Sequence, residues 1–281
     1  MEIKKITVKT KDGMNVKTKI FDIEGTPKGV VVISHGFGEY IDMYDPFIEH
    51  LTSANYTCVI FDQRGHGEDS KIAKAQGVIP GYEYFLDDID AIRAKVGELY
   101  PQVPVILYGH SMGGNIVTSY LMNRNQNAFV GAVLETPWLR LYKPMPKAVE
   151  GLAKVLGKIS GRFAKINKLR RHEVVRQLPG SKAITDYPYY HNRISFRLFA
   201  EVTKAGESAI VNAKKITIPT MLICAENDMV VCPDAIKEFG ANANSNMKLK
   251  VYDDAYHAIH ADLASVRYTP DLIDFLNELV N

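Results

Sequence analysis

The sequence predicts an α/β protein: a mostly parallel central sheet flanked by helices, interrupted once by a helical insertion. Three observations carry this. Short apolar runs recur along the chain, and such runs suit strands buried on both faces of a parallel sheet. Between them lie segments whose apolar residues fall at helical spacing. One stretch, from Pro137 to about Ala213, shows no such run and breaks the alternation.

Each element has its own signal. Ile3, Ile6, Val8, Val16 and Ile20 alternate around Asp12-Gly13, which predicts a β-hairpin. Gly29–Ser34 reads as a buried strand, Tyr44–Ser53 as a helix and Tyr56–Phe61 as a second strand. Phe85, Ile89, Ile92, Val96 and Leu99 place a helix over Tyr82–Leu99. Val103–Tyr108 follows as a strand, Asn115–Asn125 as a helix and Ala128–Leu134 as a strand. Thr220–Cys224 and Met247–Tyr252 are the last strands, and a helix closes the chain from about Pro270. Strands alternating with helices imply βαβ crossovers.

Within the insertion, Val149, Leu152, Leu156, Ile159, Phe163 and Ile166 make one helical stripe, with a kink expected near Gly161. The expected organisation is a core from residues 1–136, a helical cap over 137–213 and the rest of the core over 214–281. Glycines at 151, 157 and 161 make cap opening a further expectation.

Composition bounds the function. The 34 Lys and Arg nearly cancel the 32 Asp and Glu, so a polyanion binder such as a nucleic-acid protein is not expected. The balance is uneven, however. Residues 137–197 carry a net charge of +11 and the remainder −9, a basic cap on an acidic body. That face could meet an anionic membrane surface or an anionic substrate, or simply be solvated. The start lacks a signal-peptide core and no run is long enough to span a bilayer. Only Cys58, Cys224 and Cys232 are present, an odd and sparse set that suits free thiols in a reducing, cytoplasmic setting. No metal-ligand spacing such as C-x-x-C appears, so neither metal nor organic cofactor is expected.

The chemistry-bearing stretch is Gly109-His110-Ser111-Met112-Gly113, a G-x-S-x-G between an apolar strand and a helix. A strand that turns abruptly into a helix needs small neighbours, here Gly109 and Gly113, and lifts the serine hydroxyl above the sheet. Ser111 is the expected nucleophile. A hydroxyl at neutral pH needs a base, and the base in this topology follows the last strand. Of eight histidines, His257 stands nearest the end of that strand; His260 competes and is expected to begin the last helix. The orienting carboxylate is expected at Asp228, with Glu226 and Glu135 as rivals. An oxyanion hole needs two backbone N–H groups. Met112 and Phe37 are the expected donors, the latter in the loop His35-Gly36-Phe37-Gly38-Glu39, with His35 bracing that loop.

These pieces together resemble the α/β-hydrolases of the monoacylglycerol lipase and lysophospholipase group, classed with serine aminopeptidase-like hydrolases. The matching motifs are His35-Gly36-Phe37-Gly38-Glu39, Asp62-Gln63-Arg64-Gly65-His66-Gly67, Gly109-His110-Ser111-Met112-Gly113-Gly114, Asn227-Asp228 and Ala255-Tyr256-His257. They stand in the family's order and span nearly the whole chain. The resemblance implies an α/β-hydrolase fold with a helical cap over an acyl pocket. It also implies a carboxylic ester substrate, lipid-like in class. The triad and oxyanion roles carry over to Ser111, Asp228, His257, Phe37 and Met112. Tyr40 departs from the pattern, in which many members have histidine. Thioesterase, amidase or peptidase chemistry would use the same triad; a non-catalytic binding protein is the remote alternative.

Overall fold

The computed structural model describes residues 1–71, 74–144, 151, 164–166, 174–176 and 186–281. Its frame is an eight-stranded sheet. In chain order the strands are β1 (Glu2–Lys9), β2 (Asn15–Asp22), β3 (Gly29–Ser34), β4 (Tyr56–Phe61), β5 (Val105–His110), β6 (Gly131–Glu135), β9 (Thr220–Ala225) and β10 (Met247–Tyr252). Two more, β7 (Ala164–Ile166) and β8 (Arg193–Ser195), form a separate antiparallel pair. The helices are α1 (Asp45–Ser53), α2 (Glu83–Leu99), α3 (Met112–Asn123), α4 (Phe196–Asn212), α5 (Pro233–Asn242) and α6 (Ser265–Val280).

Spatial order is β1-β2-β4-β3-β5-β6-β9-β10. The β1–β2 hairpin and the β2–β4 contact are antiparallel; every other pairing in this sheet is parallel. The continuous apolar runs are explained by burial on both sides. In β3, Val30 and Val32 face one core while Val31 and Ile33 face the other. The first core is covered by α2, α3, α4 and α5 through residues such as Ile89, Val117, Leu198 and Phe239. The second is covered by α1 and α6 through Phe47, Leu51, Tyr268 and Leu276. Both outer strands of the sheet carry lysines: Lys4, Lys5 and Lys9 on β1, Lys248 and Lys250 on β10.

Several boundaries move from the expectation. The strand expected from Val103 begins at Val105, just past Pro104, which has no N–H to give to a ladder. Gln126–Ala128 is a short 3-10 turn, and β6 starts only at Gly131. The last helix starts at Ser265, so Pro270 lies inside it rather than at its start. His260 belongs to a 3-10 turn (Ile259–Ala261) and does not begin that helix. Ile166, expected in a helical stripe, is in β7. The rest of that stripe (Val149, Leu152, Leu156, Ile159 and Phe163) lies outside the described residues, as do Gly157 and Gly161. Helix α4 beds its Leu198, Val202 and Ile210 into the same core as α3. Among the described residues no helix is long and apolar enough to cross a membrane.

Candidate active site

The site gathers at the C-terminal ends of the parallel strands, where crevices form in open α/β sheets. Ser111 sits between β5 and α3 with φ +54° and ψ −115°, a left-handed backbone that a serine adopts only under constraint. Its N–H donates to the Glu135 carbonyl (3.0 Å), and its carbonyl accepts from Trp138 N–H (2.9 Å). A Cβ on Gly109 would stand 2.5 Å from the Gly113 carbonyl oxygen, so the elbow closes only with glycine there.

Ser111, His257 and Asp228 come together. His257 Nε2 lies 2.8 Å from Ser111 Oγ, and His257 Nδ1 lies 2.7 Å from Asp228 Oδ2. All three are buried. The free oxygen of the carboxylate, Oδ1, accepts from Val230 N–H (2.7 Å) and Val231 N–H (2.9 Å), which fixes its plane. The loops after β9 and β10 are stitched together: Glu226 N–H donates to Tyr252 O and Asn227 N–H to Ala255 O. That stitching brings acid and base within reach.

The rivals go elsewhere. Glu226 is exposed and pairs with Lys237. Glu135 and His260, the alternatives to Asp228 and His257, bond to each other (2.9 Å from His260 Nδ1 to Glu135 Oε1). His110 turns from Ser111 toward Glu39 and Glu135, each 3.8 Å away. His50 lies exposed on α1. Among the described residues, one set of potential metal ligands converges. His110, Glu135 and His260 have ligand atoms within 4.8 Å of one another. Hydrogen bonds from His260 and Tyr108 already occupy the carboxylate.

Met112 opens α3 directly after the nucleophile, and Phe37 lies in the loop beyond β3. That loop is held by Glu39, whose Oε2 accepts from Gly36 N–H (2.7 Å) and Tyr44 OH (2.6 Å). His35 braces it: Nδ1 is 2.8 Å from Gly36 O, and Nε2 accepts from Gln63 N–H (3.0 Å). The insertion also grips it, because His191 N–H donates to Gly38 O (3.0 Å) and Gly38 has φ +79°. Arg64 of the Asp62–Gly67 motif is structural; it bridges Asp12 of the hairpin turn and the buried Asp88 of α2. Tyr40 is buried, edge-on to Tyr187 and Tyr189 of the insertion.

Two residues at the site escaped the sequence reading. His191 was one histidine among eight, with no motif around it. Thr136 (φ +41°) donates from Oγ1 to the His257 carbonyl (2.8 Å). Neither position carries a local pattern that would have marked it.

The histidine cluster beneath Phe37 has a consequence for acid stability. His66 stacks on His191 at 4.8 Å and meets His35 edge-on at 5.4 Å. Burial drives His35 and His191 down to about 4, and His66 well below its ordinary value. These rings are neutral when folded but take up protons when unfolded below about pH 6.5. Stability is therefore complete above that pH and is lost as pH falls toward 4. The expected loss is about 3 kcal/mol for each of His35 and His191 at pH 4. Melting temperature measured from pH 7.5 to 4.5 checks this; a flat profile would show that the cluster does not set acid stability.

A strained serine between a parallel strand and a helix, with a histidine and a carboxylate arriving from later loops, defines an α/β-hydrolase. Residues 25–264 match the family described as serine aminopeptidase, S33, and the chain belongs to that family. It is 28% identical to phospholipase YtpA of Bacillus subtilis, over 83% of this chain and 89% of that one. It is 26% identical to rat (Rattus norvegicus) monoglyceride lipase, over 91% and 84%. The crystal structure of Paleococcus ferrophilus monoacylglycerol lipase superposes with a TM-score of 0.83 at 27% identity, covering 95% of this chain and all of that one. The chain is thus a carboxylic ester hydrolase of the monoacylglycerol lipase-like group.

Proposed function

We propose that the protein hydrolyses a monoacylglycerol or lysophospholipid through an acyl-enzyme formed on Ser111. The observation that carries this is the unbroken relay Asp228–His257–Ser111, with hydrogen bonds of 2.7 and 2.8 Å. Ser111 Oγ attacks the acyl carbonyl while His257 Nε2 takes its proton. Asp228 keeps the Nδ1–H tautomer and stabilises the imidazolium. The N–H groups of Met112 and Phe37 receive the charge that develops on the carbonyl oxygen. His257 then gives its proton to the leaving alcohol, and a water activated by the same ring releases the fatty acid. Every step uses side chains and backbone of this chain.

The relatives support the lipid class: one is a phospholipase and two are monoacylglycerol lipases. In this reading the insertion over residues 137–213 is the cap over the acyl pocket, and the net charge of +11 on its residues 137–197 draws it to anionic lipid surfaces in the cytoplasm. Binding to anionic vesicles that vanishes in high salt is the expected sign of that attraction.

The test is a substrate panel on the purified chain: p-nitrophenyl acetate, butyrate, octanoate and laurate, then 1-monooleoylglycerol and lysophosphatidylcholine. Faster turnover of octanoate or longer esters, with glycerol released from monooleoylglycerol, is expected. Turnover confined to acetate and butyrate would overturn the lipid reading. Hydrolysis of lysophosphatidylcholine alone would select the phospholipid headgroup.

A further inference from the structure

We propose that Glu135 is a positioning residue for the base: through His260 its carboxylate fixes the short turn that carries His257 on the line between Asp228 and Ser111. The proposal rests on the reading of Ser111, His257 and Asp228 as the catalytic set.

The end of β6 holds this turn at both of its ends. Glu135 Oε1 accepts from the His260 backbone N–H (3.0 Å). His260 Nδ1 sits 2.9 and 3.0 Å from the two oxygens, and Tyr108 OH donates to Oε2. The next residue, Thr136, holds the other end by donating to the His257 carbonyl (2.8 Å). Between them, Ala258 N–H donates to Val174 O (2.9 Å). The Glu135 carbonyl meanwhile accepts from Ser111 N–H (3.0 Å). One strand end therefore fixes the nucleophile and the base relative to each other.

The chemistry of the pair suits a rigid clamp. Glu135 is fully buried. Burial opposes charge on both groups, yet the attraction between them outweighs it. Glu135 is held down to about 2 and His260 is raised above its ordinary value. The result is a compensated, buried ion pair. His110 lies between this pair and the base, its ring 4.9 Å from each of His257 and His260, and burial keeps it neutral. Glu39 stands beyond His110, pushed upward by burial. Tyr44 stacks on His260 at 4.8 Å, and Tyr268 OH meets Tyr108 OH at 3.1 Å.

Removing either partner should undo the clamp. Glu135→Gln keeps an acceptor for the backbone N–H but breaks the ion pair; kcat is expected to fall about 10- to 100-fold with KM within about twofold. His260→Asn removes the cation that keeps the buried carboxylate charged; the carboxyl then takes up a proton and its grip on the turn weakens, so a kcat loss of the same order, with KM again within about twofold, is expected. The double variant is expected to lose no more than about twofold beyond the worse single variant, because both changes break one clamp. A fluorophosphonate titration counts competent sites in each preparation. The proposal is overturned if the kcat loss merely tracks lost sites. It is equally overturned if the two single losses multiply in the double variant, as independent effects would. The catalytic reading fails separately: a Ser111→Ala or His257→Ala protein that keeps its activity would refute it whatever Glu135 does. Inert Ser111→Ala and His257→Ala beside a fully active Glu135→Gln would refute the clamp alone.

Discussion

Ser111→Ala is expected to lower kcat/KM for a p-nitrophenyl ester by about 10⁵- to 10⁶-fold while leaving a folded protein. The hydroxyl donates to His257 Nε2, and neither group is needed to close the sheet. What remains would come from the oxyanion donors and binding alone. Asp228→Asn sharpens the same argument. The asparagine oxygen can still accept from Val230 and Val231, which turns its NH₂ toward His257 Nδ1. The ring must then carry its proton on Nε2, where it cannot accept from Ser111. A loss of about 10⁴-fold in kcat is expected from that tautomer. Initial rates and fluorophosphonate labelling check both: Ser111→Ala should not label, and Asp228→Asn should label slowly. A Ser111→Ala protein within tenfold of wild type would remove the serine from the mechanism.

The largest stability effect is expected at Gly113→Ala. A Cβ there would fall on the Ser34 carbonyl, far inside van der Waals contact, and 2.6 Å from the His35 carbonyl oxygen. These are backbone atoms of β3 and the loop after it, so no side-chain rotation makes room. Helix α3 must move off the sheet, carrying Met112 with it. A cost of about 4 kcal/mol or more follows, beyond the usual range for overpacking because nothing soft yields. For a chain of this size that lowers the melting temperature by about 10 °C. Gly240→Ala is the natural comparison. Its nearest neighbours are leucine side-chain atoms at 3.2–3.5 Å, and alanine is the better helix former, so a shift of no more than about 3 °C is expected. Similar melting temperatures for the two variants would contradict the close approach of α3 to β3.

Much of this architecture was legible because its determinants are local. Gly29–Ser34, Tyr56–Phe61 and Met247–Tyr252 announce themselves, and the structure keeps those boundaries. Ser111, Asp228 and His257 were legible for a related reason: each stands at or soon after a strand end, one residue past β5, three past β9 and five past β10. The short pair β7–β8 was not legible, since three residues carry too little alternation to read. Helix α5 has one local signal, Pro233 at its start, and an apolar face too short to stand out. The partnership of Glu135 with His260 was invisible because 125 residues separate them. Each alone has the chemistry of a catalytic group; only packing shows that they bind each other.

The lysines on the two outermost strands bear on how the molecule behaves when crowded. A sheet that is not closed into a barrel leaves a row of backbone donors and acceptors at each margin, an invitation to add a strand from another copy. On β10 the interior residues Lys248, Leu249, Lys250 and Val251 are all exposed, and the two lysines alternate with apolar neighbours. Each is paired with a carboxylate of α6, Lys248 with Glu278 and Lys250 with Asp271, and these charges must be desolvated before a second chain can zip on. Exchanging Lys248 and Lys250 for threonine would keep the strand and remove that toll. The hydrolase would then be primed to stack edge to edge, and its shelf life at high concentration would be set by two side chains remote from the chemistry.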